Sequence, residues 1–466
     1  MRTKYNYGDI RNGFEVLPPE KRKWILLLSD DLRLTSGIST MSKELVIGSV
    51  HRFNWIQVGA GVNHPETGKL IDLNGDVSNI SGVPNCHVTV IPNNGYGNMN
   101  LLRELFLTYK FDGILHFTDP HYWEWLYNAE HELRQQLPLL FYHVWDNIDY
   151  PMYNRNYYES CDWIGCISKL TYGVVHNVNS RNPSKMAKAL NSEQIDYCPH
   201  GINPDVFKPV KIINNPVADN YDFILLYNNR NIRRKQTSDV ILSYKLFCDM
   251  LPKEKSAKCL LLMHTHPIDE NGTDLPAVID VVCPDYDISF SNLVLSQEKI
   301  NELYNIADCT INIANNEGFG LGSAESLMAG TPIIVNVTGG LQDQCGFDFT
   351  ADDYINIGSL HKKKIHGDLP HGEWVVPVWS SVHSINGSIS TPYIIEDRVN
   401  CDDVANAIMT VYNWGKDERQ RRGLLGREFM LKNLSSEIMC NSIINGIEKT
   451  IDNFQPKTKY ELYKIV

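Results

Sequence analysis

Two glutamates separated by seven residues flank a run of alternating glycines in EGFGLGSAE, the part of the chain best suited to bind an anion. Gly318, Gly320 and Gly322 let the backbone approach a ligand, and the helix that follows would point its free N–H groups at an anion. Glu325, expected in the first helical turn, can accept hydrogen bonds from hydroxyl groups of a ligand. The pattern predicts an anion site that needs no metal.

Two cations follow the first apolar strand of the second half of the chain. Arg230 and Lys235 are five residues apart in NNRNIRRKQ. Both could stabilise the negative charge of a bound anion, each contact contributing ~1.5–3 kcal/mol. With these cations in place, no Asp-x-Asp metal motif is required, and we predict neither a metal nor a cofactor.

The glutamate and glycine stretch, with AGTPII after it, resembles the E-x(7)-E signature of glycosyltransferase family 4, a retaining family of the group 1 type with the GT-B fold. The resemblance implies that Glu317 faces the hydroxyls of the donor sugar and that Glu325 holds the ribose. It also places Phe319 and Leu321, within the glycine loop, beside the donor.

Three further loops are similar to loops of that family. Arg230 and Lys235 look like the Arg and Lys of its G-R-x(4)-K loop, with Asn229 in place of the usual glycine. Gly339–Gly340 resembles the loop of paired glycines beside the nucleotide. Gly37 resembles the first-domain glycine loop that faces the sugar and phosphates, although most relatives carry two glycines there.

A histidine is expected on the acceptor side, because members of the family often carry an H-x-H segment after a first-domain strand. His116 fits the first position of that segment, but Thr118 occupies the second. His121 and His143 are therefore rival candidates for the cleft histidine.

Apolar runs alternate with helix-like segments along most of the chain. This alternation predicts an α/β protein whose parallel sheets are covered on both faces. The predicted strands are Trp24–Ser29, Asn54–Val58, His87–Ile91, Gly113–Phe117, Leu139–Val144 and Trp163–Ile167, then Phe223–Tyr227, Cys259–His264, Ile288–Leu293, Thr310–Ala314 and Pro332–Val335.

Two Rossmann-like domains that face a central cleft, the GT-B architecture, follow from the chain length and the resemblance. We predict an acceptor-side domain over residues 1–207 and a nucleotide-sugar-binding domain over 208–435. An irregular stretch rich in Gly, His, Ser and Trp predicts an insertion at about 346–398. The last helix, in about 436–466, is a candidate to pack back on the first domain.

Composition sets broad limits. The formal net charge of −12 gives no overall attraction to a phosphate backbone. The polar N-terminus has no apolar leader core, and no stretch approaches the ~20 apolar residues of a membrane span, so we expect a cytoplasmic protein. Eleven scattered cysteines without a Cys-x-x-Cys pair are expected to be reduced thiols.

The predicted activity is a metal-independent, retaining transfer of a sugar from a UDP- or GDP-sugar to an acceptor hydroxyl. A sugar-nucleotide epimerase on the same fold and a catalytically inactive nucleotide-binding scaffold subunit are the alternatives. A saccharide or glycan is the favoured acceptor. Protein and DNA stay open, since Lys362, Lys363 and Lys364 could touch a polyanion. The sequence leaves the oligomeric state open.

Overall fold

The computed structural model contains two large β-sheets built mainly from parallel strands. It describes residues 10–11, 14–147, 150–181, 190–291, 294–357 and 369–458. A short antiparallel pair precedes the sheets, formed by β1 (Ile10–Arg11) and β2 (Phe14–Glu15). Lys362, Lys363 and Lys364, the lysines considered for a polyanion, lie outside the described residues.

The first sheet has eight strands, and all neighbouring pairs are parallel except the one that β5 makes with β6. The strands are β3 (Lys23–Asp30), β4 (Phe53–Gly61), β5 (Ile71–Asp72), β6 (Val88–Asn94), β7 (Gly113–Phe117), β8 (Leu139–His143), β9 (Trp163–Cys166) and β10 (Ile195–Tyr197). Their spatial order is β10-β9-β8-β7-β3-β4-β6-β5.

Helices connect these strands and cover both faces of the sheet. They are α1 (Gly37–Ser49), α2 (Asn74–Ser81), α3 (Met99–Thr108), α4 (Glu124–Asn128), α5 (Glu130–Leu133), α6 (Arg155–Glu159) and α7 (Lys169–Ser180). Ser36 and Ser168 cap α1 and α7 by accepting hydrogen bonds from backbone N–H groups three residues on. These caps fix where the two helices start at the carboxyl edge of the sheet.

The second sheet has six strands, all parallel, in the order β13-β12-β11-β14-β15-β16. They are β11 (Phe223–Asn228), β12 (Cys259–His264), β13 (Ile288–Phe290), β14 (Cys309–Asn312), β15 (Ile333–Asn336) and β16 (Val375–Val378). β16 and the antiparallel hairpin of β17 (Val382–Asn386) and β18 (Ile394–Arg398) lie within the stretch that the sequence predicts as an insertion.

The remaining helices pack mainly around the second sheet. They are α8 (Pro216–Asn220), α9 (Thr237–Asp249), α10 (Lys253–Ser256), α11 (Leu275–Val282), α12 (Gln297–Ile306), α13 (Leu321–Ala329), α14 (Leu341–Gln344), α15 (Ala351–Ile357), α16 (Cys401–Asn433) and α17 (Ser436–Asn453). Short 3-10 turns occur at Pro19–Lys21, Pro120–Trp123, Met152–Asn154, Ser192–Gln194 and Arg233–Lys235. No helix in the described chain is long and apolar enough to cross a bilayer.

Strand alternation distributes the apolar side chains over both faces of each sheet. On β3, Ile25 and Leu27 join one buried cluster while Leu26 and Leu28 join another. The first of these clusters continues into the second sheet through residues such as Leu226 on β11. A shared apolar core therefore links the two sheets.

The chain crosses between the sheets twice, and the two crossings are hydrogen-bonded to each other. The N–H of Ile202 donates to the carbonyl of Leu434 at 3.0 Å, and the N–H of Ser436 donates to the carbonyl of Ile202 at 3.0 Å. A Cβ at Gly201 would overlap the backbone of Ser435. Only glycine lets the crossings approach this closely.

α17 returns to the first sheet and packs on β9. Gly446 lies against the indole of Trp163, which is 1% exposed and whose Nε1 donates to Asp196 at 2.6 Å. Arg52, beyond the end of α1, pairs with Glu448 on α17 at 2.7 Å. α17 is thus one of the helices that pack against the first sheet.

Replacing Gly446 by alanine should destabilise the protein by about 1–3 kcal/mol, because the added methyl overlaps Trp163 in a packed core. Urea unfolding monitored by circular dichroism measures this as a lower midpoint. Gly75→Ala is the matched control, since a Cβ there meets nothing within 4 Å. Equal midpoints for the two variants would contradict the packing of α17 on β9.

Candidate active site

The carboxyl ends of the parallel strands meet at a cleft between the two sheets. A Cβ built on Gly37, at the start of α1, would lie 3.2 Å from Cδ1 of Leu321, at the start of α13. The glycine loop of the first sheet and the glycine loop of the second sheet therefore face each other. The loops after β11, β14 and β15, three neighbouring strands, surround this point.

Glu317 forms a buried ion pair with Lys235. The Lys235 ammonium contacts the Glu317 carboxylate, and their side chains are 9% and 11% exposed. Burial lowers the pKa of Lys235, and Arg234 adds to this while Glu317 opposes it. Burial alone would raise the pKa of Glu317, but Lys235 and Arg234 outweigh it and the pKa is lowered. The site therefore holds an ionised carboxylate next to two cations.

The second cation beside Glu317 is Arg234, and the structure does not bring Arg230 there. Arg234 Nη1 is 4.0 Å from Glu317 Oε2 and donates to the carbonyl of Asn316 at 2.6 Å. Arg230 is 60% exposed and pairs with Asp269 at 2.9 Å. The physical reason is the 3-10 turn Arg233–Lys235, which directs the end of the basic run inward. The run of three basic residues was the sequence signal for Arg234.

Glu325 lies in the second turn of α13 and not in the first turn as expected, because the helix begins at Leu321. A chain of two hydrogen bonds holds its carboxylate. The Tyr304 hydroxyl donates to Glu325 Oε2 at 2.8 Å and accepts from Asn228 Nδ2 at 2.7 Å. Burial raises the pKa of Glu325 to about 7, although the Tyr304 hydroxyl opposes this. Tyr304, which no sequence motif marks, thus orients the glutamate predicted to hold the ribose.

The loop before α13 has glycines where a side chain would strain the backbone or clash with a neighbouring atom. Gly320 has a φ of +86°, which L side chains rarely adopt. A Cβ on Gly322 would lie 2.7 Å from the carbonyl oxygen of Asn228 on β11. Gly318 lies opposite the first domain, where its Cβ would be 3.1 Å from Ile167 Cδ1. The loop is therefore pressed between the two domains.

Gly339–Gly340 packs directly on Glu317. The N–H of Gly340 donates to the carbonyl of Glu317 at 2.8 Å. Gly339 has a φ of +48°, and a Cβ there would overlap the Glu317 carbonyl. The paired glycines therefore fix the backbone on which the buried carboxylate is mounted.

Phe319 anchors the glycine loop to the first domain. It is 2% exposed, and its ring centroid is 5.4 Å from that of His200. His200 Nδ1 is in turn 2.7 Å from the Tyr142 hydroxyl, and burial lowers the pKa of His200 to about 3. A neutral histidine thus joins the two domains here, a contact that strand and motif patterns do not predict.

His116 and His143 are both fully buried, at 0% exposure. Their ring nitrogens lie 2.6 Å and 2.8 Å from the hydroxyls of Tyr127 and Tyr158. Burial lowers the pKa of both to about 3. The structure does not place either ring on the open cleft surface, because each strand directs it into the core beneath the first sheet.

His121 is the histidine of the three that keeps a partly exposed side chain. Its Nδ1 is 2.6 Å from Asp119 Oδ1, and the ring is 13% exposed. Burial would raise the pKa of Asp119, but the hydrogen bonds from His121 outweigh it and lower the pKa.

Asp146, which follows β8, extends the charged site into the first domain. One carboxylate oxygen is 3.7 Å from Arg234 Nη1. Burial raises the pKa of Asp146, and Arg234 opposes this. Arg234 thus lies between a first-domain carboxylate and Glu317. An acidic residue three positions after a buried strand is the available sequence signal.

The β17–β18 hairpin reaches the first domain through Tyr393. Its hydroxyl donates to the carbonyl of Tyr150 at 2.8 Å and accepts from the N–H of Met152 at 3.0 Å. The Tyr153 hydroxyl donates to the Tyr393 carbonyl at 2.9 Å, and the two rings lie 4.9 Å apart. We call these contacts the Tyr393 clasp.

No group of three His, Cys, Asp or Glu side chains suited to a metal ion occurs among the residues described. All eleven cysteines are free thiols.

Comparison with known proteins agrees with this geometry. Residues 292–351 match the family model described as "Glycosyl transferases group 1". No curated protein is significantly similar in sequence. Sucrose-phosphate synthase from Thermosynechococcus elongatus has a similar structure, with a TM-score of 0.65, 16% identity and coverage of 92% of this chain and 100% of that one.

Two further structures are similar to the chain over nearly its whole length. A glycosyltransferase from Rickettsia africae ESF-5 has a TM-score of 0.60 at 14% identity, with 93% of this chain and 99% of that chain covered. HepE from Anabaena, in complex with UDP and glucose, has a TM-score of 0.60 at 11% identity, with 92% and 100% covered.

The predicted GT-B fold is therefore confirmed. The predicted class of enzyme, a glycosyltransferase, is supported by the group 1 match together with this fold. The narrower assignment to family 4 stays a prediction.

Titration of Glu325 should make stability depend on pH. Its pKa is raised from 4.5 to about 7, so between these values the folded state holds a proton that the unfolded state has lost. The contribution of Glu325 to the free energy of unfolding therefore falls as pH rises from 5 to 7, by at most about 1.4 kcal/mol per pH unit. Denaturant unfolding at several pH values should give a shallower decline for Glu325→Gln than for the wild type.

The control for this measurement is Glu254→Gln, an exposed glutamate on α10. Burial also raises the pKa of Asp343, to about 6, so this residue lowers the free energy of unfolding in the same way as pH rises. Because Asp343 is present in every variant, its effect cancels when a variant is compared with the wild type. Parallel pH profiles for Glu325→Gln and the wild type would contradict a raised pKa at Glu325.

Loss of the Tyr393 hydroxyl should loosen the hairpin. Tyr393→Phe removes two hydrogen bonds to the first domain, so local opening of residues 382–398 should become easier. Hydrogen–deuterium exchange of peptides from this segment should accelerate about fivefold, as expected for a loss of about 1 kcal/mol. Tyr286→Phe, which removes a hydroxyl bonded to Asp249 in the second domain, is the control and should leave the hairpin unchanged.

Proposed function

We propose that the protein transfers a sugar from a nucleotide-diphosphate sugar to an acceptor hydroxyl, with retention of the anomeric configuration and without a metal ion. The observation that carries this proposal is the meeting of the two glycine loops at Gly37 and Leu321. Glu317, which is paired with Lys235, precedes the second loop in the chain, and Glu325 follows it. The similarity to HepE, whose structure contains UDP and glucose, supports testing UDP first.

In this proposal the diphosphate lies at the N-terminus of α13. The free N–H groups of the helix and the positive end of its dipole favour an anion there, and the glycine loop lets the phosphates approach the backbone. Lys235 and Arg234 lie beside this position, and they would hold the charge of the leaving nucleotide. Arg230 stays a predicted contributor, although the structure pairs it with Asp269.

Glu325 would hold the ribose through its carboxylate. Two ribose hydroxyls can donate to an ionised carboxylate, and the Tyr304 hydroxyl already fixes one carboxylate oxygen. Because the pKa of Glu325 is raised to about 7, nucleotide binding would favour the ionised form and release a proton below neutral pH. Glu317 would accept hydrogen bonds from the hydroxyls of the donor sugar.

The reaction would proceed on one face of the sugar. The acceptor oxygen forms a bond to the anomeric carbon as the bond from that carbon to the diphosphate oxygen breaks. The acceptor proton passes to the departing diphosphate, whose remaining negative charge is stabilised by Lys235 and Arg234. Closure of the cleft would exclude water, because hydrolysis of the donor competes with transfer.

The first test is thermal unfolding with UDP, GDP, ADP and CDP in the presence of EDTA. A nucleotide present at ~100 times its Kd should add ~2.7 kcal/mol to the stability of the native state. We expect one nucleotide to raise the midpoint for the wild type and for Glu254→Ala, but not for Glu325→Ala or Lys235→Ala. A shift that requires a divalent metal would contradict metal independence, and the absence of any shift would contradict nucleotide binding.

Turnover can be measured without a known acceptor. Incubation with the sugar form of the bound nucleotide should release free nucleotide slowly, with water as acceptor, and Glu317→Ala should abolish this release. Epimerised donor in the same reaction would instead favour the epimerase alternative, which the comparisons do not favour. Binding without release, with or without saccharides, would favour the scaffold alternative.

A further inference from the structure

A cluster of aromatic rings lies in the first domain next to the charged site. The ring centroids of His121 and Trp145 are 6.2 Å apart, those of Trp145 and Tyr153 are 5.9 Å apart, and those of His121 and Tyr153 are 6.3 Å apart. Each ring is therefore a neighbour of the other two. We call these three residues the aromatic triad.

Buried polar atoms of the triad and of Asn147 have no hydrogen-bond partner in the described protein. They are Nε1 of Trp145, Nε2 of His121 and Oδ1 of Asn147. Trp145 is 7% exposed and Asn147 is 4% exposed. Buried polar groups are nearly always hydrogen-bonded, so an unpaired donor and an unpaired acceptor on residues two apart in the chain indicate a site for a polar ligand.

The triad adjoins the proposed donor position. Asp146 lies between Trp145 and Asn147 in the sequence and is 3.7 Å from Arg234. A Cβ on Gly318, the residue after Glu317, would be 3.9 Å from Cβ of Asp146. A ligand bound by the triad would therefore lie across the cleft from the loop that is proposed to hold the donor sugar.

The combination of groups fits a carbohydrate. Aromatic faces cover the C–H surfaces of a sugar ring, while an indole N–H, an amide oxygen and an imidazole nitrogen pair with its hydroxyls. The Tyr393 clasp lies against Tyr153 and would close the outer side of such a pocket. The hairpin of the second domain is thus placed to enclose a ligand held by the first.

The charge around the triad disfavours an anionic ligand. Asp119 is bonded to His121, and Asp146 follows Trp145, so two carboxylates flank the rings. Arg234 reaches this place from the second domain, but it is shared between Asp146 and Glu317. A phosphate group on the ligand would be repelled by these carboxylates, and Arg234, the cation that contacts Asp146, is already paired with acidic groups.

We propose that the aromatic triad and Asn147 form the acceptor pocket, and that the acceptor is an unphosphorylated saccharide. This inference rests on the proposed transferase function and adds the acceptor class to it. A phosphorylated sugar and a nucleic acid are the outcomes that the charge arrangement argues against.

The test uses the full-length protein with and without saturating UDP. Saturation-transfer difference NMR with the methyl glycosides of glucose, galactose and mannose, with maltose and with glucose 6-phosphate detects binding, and titration gives the Kd. We expect an unphosphorylated saccharide to bind more tightly than glucose 6-phosphate. Trp145→Phe, which keeps a ring and removes the N–H, should weaken this binding about 5- to 10-fold.

Two further variants keep the result interpretable. Trp414→Phe makes the same change beside Arg422 in the second domain and should leave saccharide binding unaltered. His121→Phe removes Nε2 but keeps an aromatic ring, and it replaces Trp145→Phe if that variant does not fold. An unchanged thermal shift by UDP shows that each variant retains a folded donor site.

The outcomes for the two proposals are separate. Absence of a UDP shift in the wild type contradicts the donor site. A normal UDP shift together with no saccharide binding, with binding of glucose 6-phosphate alone, or with saccharide binding that both Trp145→Phe and His121→Phe leave unchanged would overturn the acceptor pocket.

Discussion

Burying the carboxylate of Glu317 between two domains requires cations at fixed positions, and the loops of the site are arranged around that requirement. An ionised carboxylate away from water is strongly unfavourable unless it is paired and hydrogen-bonded. Lys235 comes from the loop after β11, and Glu317 follows β14. Gly339 and Gly340, which contact the Glu317 backbone, follow β15. The loops that follow three neighbouring strands therefore all carry or contact Glu317.

This arrangement depends on unusual backbone conformations at two points. Gln236, which follows Lys235, has a φ of +52° and ends the 3-10 turn. Gly339 has a φ of +48° and lies against the Glu317 carbonyl. Such conformations are maintained by surrounding contacts, and they concentrate where ligands are bound.

The fold followed from the sequence because buried parallel strands are continuous apolar runs. Gly113–Phe117 and Cys259–His264 form strands with the bounds that their composition predicts. β16 escaped prediction because Val375–Val378 has a proline and lies in a stretch of irregular composition. β16 lies at the edge of the sheet because it pairs with β15, and the local sequence pattern does not predict this pairing.

The site was predicted less completely, because motif spacing locates a loop but not the direction of its side chains. The spacing selected Arg230, whereas the turn before α9 brings Arg234 to Glu317. His116 illustrates a signal that was present: it alternates with Leu115 and Phe117 on a strand buried on both faces, so its burial follows from strand geometry. Tyr304 and His200 come from distant segments, and only the tertiary fold shows their roles.

The paired crossings at Ile202 and Ser435 make the first domain discontinuous in sequence. α17, encoded at the far end of the chain, buries Met439, Ile443 and Ile447 completely in the core that includes the first sheet. A fragment cut after the first crossing would leave that part of the core open to water. A ribosome must therefore finish the second domain before the first one can complete its own interior, so the first domain cannot be completed independently during synthesis.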